Sequence, residues 1–272
     1  MKILLTGATG FLGRNISRHF TDLDITELNS KSLDLTDGKQ VRQFFKESGG
    51  FDTVIHCAIK GGKRTDTESM QSYFDNVDMA FNILDNKQYF SKLINFCSGA
   101  AYGRRYDIDQ AKESLIKNRY PTDYYGMAKA AIAKNALKHD FYNLRIFACF
   151  NNDEPESRFI KTCIRNIKNG EPIVIPQDKY FDFFYAKDVN IVIEKILQEH
   201  PLPHKDINLS YRNKLKLSEL ALIISHKMNT GGSISVKENG LSYTGDSTNL
   251  EQLNLPLIGL DKALDEYIAN EH

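Results

Sequence analysis

Short apolar runs alternate with helical patterns along the first 150 residues. Runs rich in Ile, Leu, Val and Phe are typical of buried parallel strands, and they occupy residues 2–6, 24–28, 51–56, 92–98 and 142–147. Between them the sequence has the composition and spacing of amphipathic helices, over residues 12–20, 37–48, 67–88 and 123–138. This alternation predicts an α/β protein built on a doubly wound parallel sheet, with helices on both faces.

The remaining residues predict a smaller unit that is interleaved with the first. A helical pattern runs to Ile167 and is stopped by Gly170 and Pro172. Residues 172–175 have the pattern of a strand, and residues 217–228 that of a further helix. Residues 184–198 are expected to return to the large sheet. The predicted division is a larger domain of residues 1–150 plus about 182–200, and a smaller C-terminal lobe of residues 151–181 and 201–272.

Composition and charge exclude several classes of function. Lys+Arg and Asp+Glu both number 35 among 272 residues, whereas proteins that bind nucleic acid through its phosphates normally carry a basic excess. No apolar run is long enough to span a bilayer, and no signal-peptide pattern is present. The four cysteines are Cys57, Cys97, Cys149 and Cys163. Three of them lie at or near the ends of apolar runs, so we expect buried free thiols. They form no CxxC motif, so we expect no metal site, and a reducing cytoplasm fits.

A glycine-rich turn follows the first predicted strand at once. Strand, glycine turn and helix in this order form the context that a dinucleotide phosphate site requires. We expect Gly7 to permit the tight turn, Gly10 to let the backbone approach the pyrophosphate, and Gly13 to let the helix pack closely on the strand. The candidate cofactor contacts at this turn are Gly7, Thr9, Gly10, Phe11, Leu12 and Gly13.

Tyr125 and Lys129 lie four residues apart on a predicted helix, so they project from the same face. A free tyrosine has a pKa of about 10, too high for efficient acid-base chemistry near neutral pH. At an effective dielectric near 20, a lysine about 4 Å away would favour the phenolate by roughly 4 kcal/mol, or about three pKa units. Ser98 ends the fourth predicted strand, at the sheet edge where α/β proteins bind ligands, and completes a candidate catalytic set.

These stretches, in this order, resemble the extended short-chain dehydrogenase/reductases of the NAD-dependent epimerase/dehydratase type. Within that family the chain is similar to GDP-L-fucose synthases and other 4-keto-6-deoxy sugar-nucleotide reductases. The resemblance implies a dinucleotide-binding Rossmann domain and a substrate-binding lobe. It also implies that Tyr125 is the acid-base, that Lys129 binds the nicotinamide ribose and lowers the pKa of Tyr125, and that Ser98 bonds the reacting oxygen. Further cofactor contacts implied by position are Asp34, Leu35, Cys57, Ala58 and Asn76.

The end of the second strand bears on the choice of cofactor. NAD-specific sites usually place an acidic residue there to hold the ribose 2′-hydroxyl, and this chain has Asn29, Ser30 and Lys31 instead. Ser30 and Lys31 could hold a 2′-phosphate, which favours NADP over NAD. A solvated turn is the alternative interpretation. Asp37 is expected to cap the next helix.

Departures from the family pattern reduce the number of reactions and substrates that are expected for this chain. Gly99 and Ala100 follow Ser98, where dehydratases carry an acidic residue and GDP-L-fucose synthase carries a cysteine, so neither dehydration nor 3,5-epimerisation is expected. Ala148 and Phe181 stand where many members carry an asparagine and an arginine for the substrate diphosphate. Either other cations replace them or the substrate is not a nucleotide sugar; the candidate replacements are Lys161, Arg165 and Lys179.

With dehydration and 3,5-epimerisation not expected, the remaining chemistry of the family is hydride transfer at a carbonyl. The leading hypothesis is an NADP(H)-dependent reductase of a nucleotide-linked 4-keto-6-deoxy sugar in deoxysugar or surface polysaccharide biosynthesis. The alternatives are an NAD-dependent sugar-nucleotide 4-epimerase, a reductase of a non-nucleotide carbonyl, and a cofactor-binding protein without catalysis. The resemblance also implies a homodimer packed through the helices near residues 67–88 and 123–138. The charge balance and the lack of a long apolar run predict no nucleic-acid or membrane partner.

Overall fold

The computed structural model describes residues 1–61, 68–139 and 141–271. Its strands are β1 Lys2–Thr6, β2 Asp24–Leu28, β3 Phe51–His56, β4 Phe90–Ser98, β5 Ile108–Ala111, β6 Tyr142–Ile146, β7 Cys149–Phe150, β8 Ile173–Asp178, β9 Phe184–Tyr185, β10 Asp206–Leu209, β11 Ile234–Asn239 and β12 Tyr243–Gly245. Its α-helices are α1 Phe11–His19, α2 Gly38–Ser48, α3 Met70–Leu84, α4 Tyr124–His139, α5 Phe159–Lys168, α6 Ala186–Gln198, α7 Leu217–Lys227, α8 Thr248–Glu251 and α9 Leu260–Ala269.

A six-stranded parallel sheet organises the molecule, in the order β10-β6-β4-β3-β1-β2. The chain winds outward from β1 in both directions, so the strand order reverses between β1 and β3. Parallel strands with helical crossovers are buried on both faces, which explains their nearly continuous apolar sequence. Ligands of such sheets bind outside the carboxyl ends of the strands, at the point of reversal.

The predicted fold class is confirmed, and the elements of the large sheet agree closely with the sequence pattern. The strand expected over 92–98 begins two residues earlier, at Phe90. The helix expected over 67–88 runs from Met70 to Leu84, and residue 67 lies outside the described residues. Asp37 caps α2 as expected, since its carboxylate accepts from the backbone N–H groups of Lys39 at 2.9 Å and Gln40 at 3.2 Å.

One segment departs from the expected division into domain and lobe. Residues 206–209 were assigned to the smaller lobe, but they form β10, which pairs in parallel with β6 at the edge of the large sheet. The segment is too short and too polar to be recognised as a strand from its own pattern. Its pairing buries Asn208 completely, where the side-chain amide donates to the carbonyl of Ala111 at 2.8 Å.

The smaller lobe has its own apolar core. There β8 pairs in parallel with β11, and buried side chains from α5, α7 and α9 form one cluster around them. The chain returns to the large sheet through α6, where Asn15 of α1 donates to the Ala186 carbonyl at 3.0 Å.

Two classes of feature are not found in the described part of the chain. None of its helices is long and apolar enough to cross a membrane. No three of its His, Cys, Asp or Glu side chains are grouped so that they could hold a metal ion. The four cysteines are free thiols, and Cys97, Cys149 and Cys163 are buried.

Candidate active site

The glycine turn after β1 has the geometry that close approach requires. Gly7 has a φ of +68°, and a Cβ there would lie 2.6 Å from the backbone nitrogen of Ala58. A Cβ on Gly13 would lie 2.2 Å from the Gly7 carbonyl oxygen, so this glycine lets α1 pack against the turn. Gly10 is the N-cap of α1 and offers no capping side chain. The first N–H groups of the helix are therefore left for an anion.

A cleft of about 210 Å³ lies where the strand order reverses. Its walls combine the glycine turn, the end of β2 and the end of β3, so most predicted cofactor contacts meet in one place: Gly7, Thr9, Gly10, Asn29, Ser30, Asp34, Leu35, Cys57 and Ala58. Lys31 is exposed and does not line this cleft. Its backbone N–H donates to the Asn29 side chain at 2.9 Å.

Asn76 does not line the cleft but supports a segment that borders it. It lies inside α3 and is buried. Its amide oxygen accepts from the Lys60 backbone at 2.8 Å, and its amide nitrogen donates to the carbonyls of Lys60 and Ser72, both at 2.8 Å. The side chain thus fixes the segment after β3, which borders the cleft.

The predicted catalytic side chains meet at the carboxyl end of β4. Ser98 ends that strand, while Tyr125 and Lys129 come from the first turns of α4. Asp123 caps this helix by accepting from the Gly126 N–H at 2.8 Å. A Cβ on Gly126 would lie 2.7 Å from the Ala100 carbonyl oxygen. The glycine in this motif therefore lets α4 approach the turn that follows Ser98.

The electrostatics of Tyr125 differ from the expectation. Burial raises the pKa of Tyr125, and hydrogen bonding with Ser98 and the charge of Arg104 partly oppose the rise. Lys129 was expected to lower this pKa, but its ammonium lies 5.9 Å from the centre of the Tyr125 ring and donates to the Phe96 carbonyl at 2.6 Å. Burial also lowers the pKa of Lys129.

Arg104 and Glu68 flank Tyr125, and the sequence pattern did not single out either residue. The Arg104 guanidinium lies 5.3 Å from the centre of the Tyr125 ring. It pairs with Glu68 at 3.3 Å and with Asp123 at 3.6 Å. The other Glu68 oxygen accepts from the Tyr125 backbone N–H at 3.1 Å. These contacts brace the start of α4 and place a cation beside the phenol.

A second cavity, of about 810 Å³, opens in front of Ser98, Tyr125 and Lys129. It shares Cys57 and Ile59 with the smaller cleft, so the two lie side by side, and together they are called the groove. Its described lining includes one acidic side chain, Glu68, and four basic ones, which favours an anionic ligand: Arg104, Lys129, Arg158 and Lys179.

The positions that lack the family's diphosphate contacts do face this cavity, since Ala148 and Phe181 both line it. Of the three expected replacements, Lys179 lines the cavity, whereas Lys161 and Arg165 do not. Both of those side chains instead pair with Glu156, at 3.1 Å and 3.9 Å.

Arg158 was not among the expected replacements, yet it lines the cavity. Its guanidinium lies 3.6 Å from the Glu154 carboxylate and donates to the Cys149 carbonyl at 3.3 Å. The charge is thereby held on the wall of the cavity formed by the smaller lobe.

Side chains suited to removing a proton from carbon are scarce at this site. A Cβ on Gly99 would lie 2.4 Å from the Phe147 ring, so no acidic side chain fits there, and Ala100 is fully buried. Burial raises the pKa of Cys149 to about 12 and also raises the pKa of Cys57. Both thiols are therefore protonated near neutral pH.

Comparisons with known proteins place this geometry in context. The GDP-L-colitose synthase of Yersinia pseudotuberculosis is 31% identical over 253 residues, covering 83% of this chain and 81% of that protein. A GDP-mannoheptose C4 reductase from Campylobacter jejuni, solved with NADP bound, superposes with a TM-score of 0.84 at 15% identity, over 98% of this chain and 97% of the other. The UDP-glucose 4-epimerase of Thermus thermophilus, in complex with NAD, superposes with a TM-score of 0.78 at 16% identity, over 100% of this chain and 99% of the other.

At such identities the two solved structures show a shared fold. The family is shown by sequence, because the model of the NAD dependent epimerase/dehydratase family matches residues 3–210. This match covers the glycine turn, the end of β4 and the YxxxK motif. It confirms the predicted class of enzyme, an oxidoreductase that uses a nicotinamide dinucleotide. The chain belongs to the NAD dependent epimerase/dehydratase family.

Proposed function

We propose that this protein is an NADP(H)-dependent reductase of the 4-keto group of a nucleotide-linked deoxy sugar. The observation that carries the proposal is that Ser98 and Tyr125 both line the larger cavity. This 810 Å³ cavity is beside the cleft where most of the predicted cofactor contacts lie. The nicotinamide, when bound, would supply the hydride for the carbonyl carbon.

The Tyr125 side chain would supply the proton. Because burial raises the pKa of Tyr125, the phenol is protonated at neutral pH and starts the reaction as an acid. After it protonates the carbonyl oxygen, the phenolate is stabilised by Arg104 and by the Ser98 hydroxyl. A 4-epimerase would first need the phenolate as a base, so this environment favours reduction.

The cofactor would lie along the smaller cleft. The pyrophosphate would approach Gly10 and the uncapped start of α1, and Lys129 would hold the nicotinamide ribose. Preference for NADP would rest on Ser30, which lines the cleft, and on Lys31 one residue further along an exposed turn. The absence of an acidic residue at the end of β2 supports the same preference.

The nucleotide diphosphate would lie against the smaller lobe. Arg158 and Lys179 place two cations on that wall, which compensates for the apolar Ala148 and Phe181. A charged hydrogen bond to phosphate contributes roughly 1.5–3 kcal/mol, so two such contacts could replace those that are missing. The 31% identity to a GDP-L-colitose synthase makes GDP the first nucleotide to test.

The deciding experiment follows cofactor oxidation with GDP-, dTDP-, CDP- and UDP-linked 4-keto-6-deoxyhexoses, comparing NADPH with NADH. We expect NADPH consumption with one nucleotide. If no sugar nucleotide is reduced, the proposed activity is wrong. Interconversion of sugars without net cofactor oxidation would instead identify a 4-epimerase.

Tyr125→Phe provides the control for chemistry at this site. We expect it to abolish turnover, because the only group removed is the acidic hydroxyl, while NADPH binding stays nearly intact. Binding is measured by quenching or enhancement of cofactor fluorescence. Near-normal turnover in this variant would contradict the role of Tyr125.

A further inference from the structure

A third hydroxyl lies at the catalytic centre, and the proposed mechanism does not use it. The phenol oxygen of Tyr243 is 3.4 Å from the Ser98 hydroxyl oxygen, and the Tyr243 side chain lines the substrate cavity. We propose that Tyr243 is a positioning residue that acts through Ser98, directing the Ser98 proton toward the substrate oxygen. This inference rests on the proposed reductase function and adds a residue to its machinery.

The argument begins with the hydrogen-bonding capacity of Ser98. A serine hydroxyl has one proton to donate and two lone pairs that accept. The Ala100 backbone N–H occupies one lone pair at 3.2 Å. A phenol is a stronger acid than an aliphatic alcohol, so Tyr243 is the natural donor to the second lone pair. The proton of Ser98 is then left for the cavity, where Tyr125 and the substrate oxygen meet.

The backbone of Tyr243 is fixed from both sides. Its N–H donates to the Tyr180 carbonyl at 2.8 Å, and its carbonyl accepts from the Asp182 N–H at 3.2 Å. On the opposite side β12 pairs with β5, and the Ile108 N–H donates to the Ser242 carbonyl at 3.0 Å. The phenol is therefore presented to Ser98 by a paired strand and not by a loose loop.

The Tyr243 ring is equally constrained. It packs against Phe147 and Phe181, with 5.2 Å between ring centres in each pair. A Cβ on Gly99 would lie 2.9 Å from the Tyr243 Cζ atom, so the glycine after Ser98 makes room for the phenol. Gly99 and Phe181, both departures from the family pattern, thus have a shared role in supporting Tyr243.

The first test uses Tyr243→Phe, which removes one oxygen and keeps the ring contacts. We expect kcat to fall roughly tenfold, the size of one net hydrogen bond, with KM changed less than about twofold and NADPH binding unchanged. Tyr180→Phe is the matched control, because Tyr180 is next to the same strand but does not line the cavity. An active wild type with unchanged kcat in Tyr243→Phe would overturn the inference.

A second test needs no substrate. Protein labelled with ¹³Cζ-tyrosine gives one NMR signal per tyrosine, and the signal of Tyr243 is the one missing from Tyr243→Phe. We expect Ser98→Ala to shift that signal at neutral pH, whereas Ser242→Ala leaves it in place. An unmoved signal in Ser98→Ala would refute the hydrogen bond. A shifted signal in a protein that reduces no sugar nucleotide would support the Ser98–Tyr243 pair while rejecting the proposed function.

Discussion

The chemistry of the site depends on how a few charged and hydroxyl side chains are held. Lys129 and Tyr125 share a helix face, as their spacing predicts, but burial and not the lysine governs the pKa of the phenol. A spacing rule gives the direction of a side chain, whereas its electrostatics depend on neighbours from other elements. Here those neighbours are Arg104, Glu68 and Ser98.

Arg158 is the residue through which the identity of the substrate can be tested. If it contacts a diphosphate, Arg158→Gln should raise KM for the nucleotide sugar by roughly 10- to 100-fold, with little change in kcat because the contact is remote from the reacting carbon. Free nucleoside diphosphate should bind more weakly by a similar factor, as measured by calorimetry.

Arg165→Gln is the control for that experiment. Arg165 belongs to α5, the helix that Arg158 precedes, but it contacts Glu156 and does not line the cavity. Arg165→Gln removes one positive charge from the protein, as Arg158→Gln does, but it should leave KM unchanged. Equal effects of the two substitutions would mean that net charge, and not a contact of Arg158, determines substrate binding.

At the scale of elements, prediction succeeded where local patterns decide the structure. The buried strands and amphipathic helices of the large sheet follow from their own sequence, as does the Asp37 cap. The sequence did not reveal β10 or β12, because each is short and is stabilised by pairing with a distant strand. Tyr243 and Ser98 are brought together across 145 positions, and no local signal marks such a contact.

The link between α5 and α9 makes stability depend on pH. Glu154 is 4% exposed, accepts from the Tyr267 hydroxyl at 3.2 Å and pairs with Arg158. Burial raises the pKa of Glu154 from 4.5 to about 7, although Arg158 and Tyr267 oppose the rise. The folded state therefore binds more protons than the unfolded state between these values, and stability falls as pH rises through that window.

Glu154→Gln should remove this contribution. From pH 4.5 to 7.5, wild type should lose more unfolding free energy than the variant, by on the order of 1–3 kcal/mol, since one pKa unit corresponds to about 1.4 kcal/mol. Urea unfolding at several pH values gives the unfolding free energy of each protein. Subtracting one from the other removes the contribution of titrating groups that the two proteins share. Parallel stability curves would show that folding does not raise the pKa of Glu154, and would contradict this prediction.

At the scale of the whole molecule, the packed helices α3 and α4 carry exposed apolar side chains. Met70 is 58% exposed, Phe74 48% and Met127 37%. These are the helices through which a homodimer is expected, and burying such side chains contributes roughly 1.5–3 kcal/mol each. Since both helices also border the groove, a partner on this face would support the start of α4.

Phe74→Glu should therefore convert a dimer into a monomer, because a carboxylate buried in an apolar interface without a partner is strongly unfavourable. Leu222→Glu is the matched control, since Leu222 of α7 is 49% exposed and lies outside the predicted interface. Size-exclusion chromatography with light scattering gives the mass of each protein. A monomeric wild type, or a Phe74→Glu protein that stays dimeric, would contradict this interface. If monomers form and turnover falls with them, the start of α4 depends on the partner for its order.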